Sequence, residues 1–257
     1  GQSLVVTGVN FGDPAATVAV TFGGSGGTLV AMTGCVKVSA TAHTRVQCTT
    51  AGAVGINLRV SMVVSGVTAT AATDGVTALG RGLSFLPPTI TRVSGPGATA
   101  STTAGGQIIH IEGTSYGPLG YPAVVVDDAR YGPASPLDLR FAVTPSCRVI
   151  AAQAAPLLST IECLSAPGSG RGHALQITVG AQTSNLFAAN IAYSPPVVTG
   201  FAGAGAVDGD TAGGEVVNIL GSNFGPADAY TNARLAVSYG VTLENGPFPN
   251  VTFIPSD

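Results

Sequence analysis

Chemistry in this 257-residue chain would have to come from four cysteines, three histidines and thirteen acidic residues, and their spacing decides which chemistry is open to it. Cys35 and Cys48 lie close in sequence, as do Cys147 and Cys163, and each pair is followed by a Gly-containing turn and a strand-like run. Four cysteines allow three disulfide pairings, and four buried free thiols are the alternative, because cysteine is often simply a core residue. The two pairs occupy matching places in an internal repeat, which favours Cys35 with Cys48 and Cys147 with Cys163. Closing each loop of about 14 residues would contribute roughly 3 kcal/mol by chain-entropy arithmetic. His43, His110 and His173 never cluster at ligand spacing, so no zinc set is expected. His110, flanked by Ile109 and Ile111, is expected on the more exposed face of a strand. Asp127-Asp128 and Asp208-Gly209-Asp210 offer hard oxygen ligands, but neither has the alternating acids of a calcium loop, and both are read as turn residues. GGSGG (residues 23–27) matches the nucleophile-elbow pattern in letters only. An elbow needs a strand-to-helix turn with an acid and a histidine around it, and this stretch lies between two strands. GPGATA (95–100) lacks the third glycine and the following helix of a dinucleotide fingerprint, and is read as an inter-strand loop. No catalytic residue, cofactor or metal ligand is therefore expected.

The elements that position these groups come from a phrase written three times, as GQSLVVTGVNFG (1–12), GGQIIHIEGTSYGP (105–118) and GGEVVNILGSNFGP (213–226). Gly8, Gly113 and Gly221 are equivalent, so the period is roughly 105 to 108 residues, the size of one domain. These three glycines are expected to end a strand where a positive φ is useful. Pro87-Pro88 and Pro195-Pro196 cannot donate ladder hydrogen bonds and stiffen the chain, so they read as short joints. The expected units are 1–86, 87–194 and 195–257, the first without its opening strand and the third cut short, a window on a longer array. Between the joints, QIIHIEG, PAVVVDD, LDLRFAV, STIECL, ALQITVG and FAANIAYS are short, rich in Val, Ile and Thr, and partly alternating. About seven such runs per hundred residues predict an all-β, antiparallel sandwich. Only residues 151–155 suggest a helical turn, which Pro156 would stop.

Composition narrows the function classes. Hydrophobic residues make up 45% and charged residues 9%, with 36 glycines and 17 prolines, too apolar for disorder and too punctuated for long helices. The net charge is -3 and the arginines are scattered singly, so no basic stripe exists to bind nucleic acid. No apolar run approaches 18 residues, so no membrane insertion is expected within this segment. Local disulfides in a Lys-poor β-module predict an extracellular or cell-surface location.

The order of these parts resembles the immunoglobulin-like IPT/TIG domain family. The likeness runs from a proline and an extended strand (PPTITRVSG, PPVVTGF) to a Gly-Gly turn and a strand ending in G-x-x-[FY]-G (8–12, 113–117, 221–225). It continues through a strand (TVAVTFGG, 17–24; PAVVVDD, 122–128), a cysteine, and a T-x-[VI]-x-C strand (44–48, with one residue fewer at 160–163). The spacing between the two cysteines differs between copies. The resemblance implies tandem immunoglobulin-like sandwiches joined by short Pro-Pro linkers. It also implies a role as spacer, ligand-binding ectodomain, appendage of a secreted sugar-active enzyme, or dimerisation domain, and carries over no catalytic residue. Long Ala- and Gly-rich arrays of this kind look like cell-surface proteins of algae and other microbial eukaryotes.

Asn250-Val251-Thr252 is an N-glycosylation acceptor. In an algal or plant-like source, the prolines of Pro87-Pro88 and Ser194-Pro195-Pro196, and of Ser135-Pro136, would be candidates for hydroxylation and O-glycosylation. The leading expectation is a non-catalytic structural protein, a stalk, sheath or filament whose partners are neighbouring copies of itself, because low charge and exposed strand edges do not resist lateral contact. The alternatives are an adhesin or receptor ectodomain, or spacers of a secreted enzyme. Tyr116, Tyr121, Tyr131 and Tyr230 are the candidates for a sugar platform, although the chain has no Trp and only 6% aromatic residues.

Overall fold

The computed structural model describes residues 1–23, 29–38, 41, 43–69, 82–119, 126–151 and 158–240. In the first unit, short Val- and Thr-rich runs form β1 (Ser3–Thr7), β2 (Val18–Gly23), β3 (Val30–Ala31), β4 (Thr33–Lys37), β5 (Arg45–Thr49), β6 (Arg59–Val64) and β7 (Val67–Thr68). They pair antiparallel as two sheets, β1-β5-β4 and β3-β2-β6-β7. Alternation turns Val6, Val46 and Cys48 of the first sheet and Val20, Phe22 and Met62 of the second into one core.

The second unit repeats the plan with more strands: β8 (Thr89–Ser94), β9 (Ile108–Thr114), β10 (Val126–Pro133), β11 (Phe141–Ala142), β12 (Arg148–Ala151), β13 (Ser159–Leu164), β14 (His173–Val179), β15 (Gln182–Thr183) and β16 (Phe187–Ile191). One sheet runs β12-β13-β9-β8 and the other β11-β10-β14-β15, with β16 also on β14. Ile90, Ile109, Ile111 and Ile161 meet Tyr131, Leu175, Ile177 and Ile191 between the sheets. Among the described residues the first unit has no counterpart of β8, and no strand pairs with the outer edge of β1. The third unit contributes β17 (Val197–Ala202) and β18 (Asn218–Ser222), paired to each other. No helix among the described residues is long and apolar enough to cross a membrane.

Disulfides join Cys35 to Cys48 and Cys147 to Cys163. The first ties β4 to β5, and the second ties the residue preceding β12 to β13. In both units, therefore, an edge strand is fastened to its neighbour within one sheet.

Three expectations are corrected. Gly8, Gly113 and Gly221 are not among the positive-φ glycines; φ is positive at Asn10, Ser115 and Asn223 and at Gly12, Gly117 and Gly225. The first glycine is needed for space. A Cβ on Gly8 would lie 2.6 Å from the Phe11 ring, and one on Gly113 or Gly221 would overlap the Thr89 or Val197 carbonyl oxygen and the following aromatic ring. The repeated phrase is thus a turn that folds Phe11, Tyr116 or Phe224 back beneath its own strand. GPGATA is not a plain loop: Pro96–Thr99 form a single turn, α1, with Pro96 at its start, where a missing N–H costs nothing. Asp127-Asp128 stand on β10 beside a bulge, not in a turn, and the Asp127 carboxylate accepts the Ala181 N–H of the neighbouring hairpin at 2.7 Å. Ala151 ends β12; the rest of the expected helical turn lies outside the described residues.

Candidate functional site

The ends of the first two sandwiches share one backbone construction. The loop after the disulfide-bearing strand hands a carbonyl to the segment leaving the unit: Phe85 N donates to Gly55 O, and Tyr193 N donates to Gly170 O, both at 2.9 Å. Register extends the equivalence, since Phe22 faces Val60 as Tyr131 faces Leu175. Counting three residues on from the shared glycines, Leu58 corresponds to His173.

In the first unit this end is apolar. Leu58 is buried, and the Phe22 and Phe85 rings pack with centroids 5.7 Å apart. Its joint to the second unit is close: Val54 packs against the second core, and Gln182 Nε2 donates to Phe85 O at 3.0 Å. A Cβ on Gly180 would lie 2.6 Å from Gly55 N, so only glycine fits there.

In the second unit the same positions are polar. The Ala166 N–H donates to Tyr131 Oη (3.0 Å), Tyr131 donates to Tyr193 Oη (2.6 Å), and Tyr193 donates to Ala166 O (2.8 Å), a closed ring of hydrogen bonds. Burial raises both phenol pKa values above the ordinary tyrosine value. His173, 1% exposed, sits among Tyr131, Phe141 and Tyr193. Its Nε2 lies 3.1 Å from Ser169 O, and a carbonyl can only accept, so Nε2 carries the proton and Nδ1 is left as a bare acceptor. That buried Nδ1 has no partner. Burial holds the imidazole below its ordinary pKa, against the opposing Ser169 hydrogen bond, so the ring is neutral at neutral pH.

The third unit closes over this end with α2 (Ala229–Arg234), capped by the Asp228 carboxylate, which accepts Thr231 N–H at 2.7 Å. Ser169 and Thr231 hydroxyls meet at 3.2 Å, and Tyr230 packs edge-on to Phe141 at 6.0 Å. The Arg140 and Arg234 guanidiniums lie 3.7 and 3.9 Å from the Tyr230 ring centroid. Two groups that close have room only on opposite faces, so Tyr230 is held in a cation–π sandwich that spans the joint. Beside it opens a cleft of about 1040 Å³ lined by Arg171, His173, Asn190, Asn223, Tyr230 and Arg234 among others, with no acidic side chain among the described residues of its wall.

No protein-family model matches the chain, and no curated protein does.

The remaining sequence candidates scatter. Tyr116 and Tyr131 are fully buried and cannot form a sugar platform, a correction that leaves Tyr230, half-buried beneath its arginines; Tyr121 lies outside the described residues. Burial, reinforced by Glu112, raises the Tyr116 pKa. His43 is exposed in a loop, far in sequence from the joint. His110 Nε2 sits 3.3 Å from Glu162 on the open face of β9, where Arg148 and His110 together hold the Glu162 carboxyl below its ordinary pKa. Asp210 accepts Ala212 N–H at 2.8 Å, ordinary turn chemistry. Among the described residues no group of three or more His, Cys, Asp or Glu is placed to hold a metal. Pro87 and Pro195 are exposed, Pro196 half-buried and Pro88 buried, while the Ser194 hydroxyl donates to Ala100 O at 2.9 Å. Asn250, and all of GGSGG beyond Gly23, lie outside the described residues.

Proposed function

We propose that this chain is part of a tandem array of immunoglobulin-like, IPT/TIG-type modules serving as a non-catalytic structural protein outside the cell, as a stalk, sheath or filament. The observation that carries the reading is the repeated end of the unit: the Gly55–Phe85 and Gly170–Tyr193 backbone bonds, each within its own unit, occur at the same place in successive copies, so the segment leading to the next unit leaves both sandwiches in the same way. Strand order supports the fold type, since β12-β13-β9-β8 opposite β11-β10-β14 follows the D-E-B-A and C-F arrangement of constant-type immunoglobulin sandwiches. Two disulfides, each inside its own unit, suit an oxidising compartment. The outer edge of β1, which no strand pairs with among the described residues and on which Val5 is exposed, offers a row of backbone groups for lateral pairing between copies.

Electron microscopy of the purified full-length protein tests the assembly. Rods or sheets with one repeat of the array as their period are expected, and isolated, freely bending monomers at high concentration would remove the reading. Glycopeptide mapping tests the coat proposed for Asn250 and the Pro-Pro joints, with exposed Pro87 and Pro195 the best-presented prolines. A second reading, an ectodomain with a soluble or surface ligand, is favoured by one observation: the cleft of about 1040 Å³ at the second joint.

A further inference from the structure

We propose that the first unit cuts its own chain at the Asp13–Pro14 peptide bond, with the Asp13 carboxylate as nucleophile and the Lys37 ammonium as proton donor. Asp13–Pro14 is the only Asp-Pro bond in the sequence and Lys37 the only lysine, and the fold brings them together: Lys37 Nζ donates to the Asp13 main-chain oxygen. The turn itself needs neither residue. The second and third units make it as Gly117-Pro118 and Gly225-Pro226, with positive φ at the same glycine and nothing between glycine and proline, so Asp13 is an insertion peculiar to the first copy. Lys37 departs from the repeat in the same way. It is half-buried and stands opposite buried Val46, on the inward side of its sheet. The same register in the second unit holds Val149, opposite buried Ile161 and packed against the core. An ammonium on an inward position costs solvation that a valine does not, and here it reaches one particular carbonyl.

That carbonyl belongs to a bond open to attack from its own side chain. An aspartate carboxylate reaches the main-chain carbonyl carbon of the same residue in a five-membered ring, and proline leaves from a tertiary amide as a secondary amine. The Asp13 carboxylate is held in the turn, where Oδ1 accepts the Ala15 N–H at 2.8 Å and the Ala16 N–H at 3.1 Å. Both donors lie beyond Pro14, so the side chain is folded forward along the bond to be broken, and the attack is unimolecular. Lys37 polarises the carbonyl and stabilises the oxyanion that forms on it. Asp13 Oδ2 bonds to the Asp13 carbonyl carbon, the C–N bond breaks, and its electron pair leaves on Pro14 N, which takes a proton from Lys37. Water then opens the cyclic anhydride left on Asp13, giving two carboxylates and two protons. One proton returns to Lys37 and the other makes the Pro14 amine cationic, so the sum is hydrolysis of one amide. Asp13 and Pro14 are exposed, which gives water access. The cut leaves the unit standing, because β1 keeps its pairing with β5 and Val6 and Phe11 stay in the core. The reaction runs once per chain, which suits a structural protein, and it does not depend on whether the array assembles.

The test is incubation of the purified 257-residue chain at neutral pH and body temperature for several days, read by denaturing intact-mass measurement and N-terminal sequencing. A new chain beginning at Pro14 is expected, with the fragment 1–13 beside it. The same chain in urea should be cut at least about tenfold more slowly, which separates cleavage directed by the fold from the ordinary lability of an Asp-Pro bond. Lys37→Met should slow the cut about 100-fold. Lys37→Arg, which keeps a donor but holds its proton, should be as slow. Asp13→Asn, at an exposed position, keeps an acceptor for the Ala15 and Ala16 N–H groups without the carboxylate, and should leave the chain whole. Melting curves of each variant show that it is folded when its rate is read. An uncut parent chain, cleavage as fast in urea, or an undiminished rate in any folded variant would each overturn the proposal.

Discussion

Where the first unit places Phe22, Leu58 and Phe85, the second places Tyr131, His173 and Tyr193 on the same backbone. Packing completes the first set, since ring against ring and a buried leucine need nothing further. The second set needs hydrogen bonds. The two phenols meet that need with a closed ring through Ala166, and the histidine only half meets it, through Ser169. A buried polar group with an unmet lone pair costs stability, and the neighbouring copy shows that this backbone does without one. The difference teaches that the polar end answers a demand other than folding, and it coincides with the joint that opens a cleft.

Four substitutions break or sharpen this contrast. Leu58→His puts an imidazole where no carbonyl ring or cleft awaits it, and should cost the first unit about 2–4 kcal/mol in urea denaturation. A near-neutral result would show that the apolar end tolerates polarity and that the second end is nothing special. Tyr131→Phe strips the Ala166 N–H of its acceptor and should cost about 1–3 kcal/mol. Combined with Tyr193→Phe, the total should fall short of the sum of the singles by about 0.5–2 kcal/mol, because both singles break the same hydroxyl–hydroxyl bond; strict additivity would dissolve the ring.

His173→Leu should stabilise by up to about 1 kcal/mol at neutral pH, by removing the unmet Nδ1. It should also flatten the pH profile, and the sign follows from burial. The folded pKa lies below the unfolded value of about 6.5, so the unfolded chain takes up the proton first as pH falls. The contribution is complete above that value and is lost as pH drops through the folded pKa, so melting temperatures of the parent should fall faster than those of the variant below about pH 6.5. Parallel curves would show that the imidazole takes up its proton at the same pH in the folded and the unfolded chain. Arg234→Ala removes one face of the Tyr230 sandwich, and about 0.5–1 kcal/mol of joint stability should go with it. Small-angle scattering should then report wider bending at the second joint, while an unchanged profile would assign the joint to Ser169 and Thr231.

The sandwich layers were legible because the strands carry their own periodicity, as in Ile109-His110-Ile111, where the isoleucines are buried and the histidine faces out to Glu162. The role of Gly113 was not legible. The sequence shows a glycine but not that Thr89, on another strand, passes over it, and a close approach leaves no local trace. Tyr116 and Tyr131 were misread for a related reason: an aromatic residue beside a turn looks exposed until register shows that it folds inward. The joint was hidden because its parts, Ser169, His173, Thr231 and Tyr230, belong to different copies and meet only through packing. One signal for it was in the letters. Aligning the copies sets Leu58 against His173 and Phe22 against Tyr131, an apolar pair replaced by a polar one at a position that must be buried.

The placement of the disulfides has a consequence for failure. The first joins the edge strand β4 to β5 and the second joins the residue leading into the edge strand β12 to β13, and neither crosses from one sheet to the other. Heating can therefore part the two layers with both sulfur bridges intact, held back only by the side chains between them. A reductant does the opposite, leaving the layers together but letting β4 and β12 peel away, which bares fresh backbone on β5 and β13 to any neighbouring chain. The bridges act less as rivets through the sandwich than as hems along its border, and a reduced sample is expected to tangle before it melts.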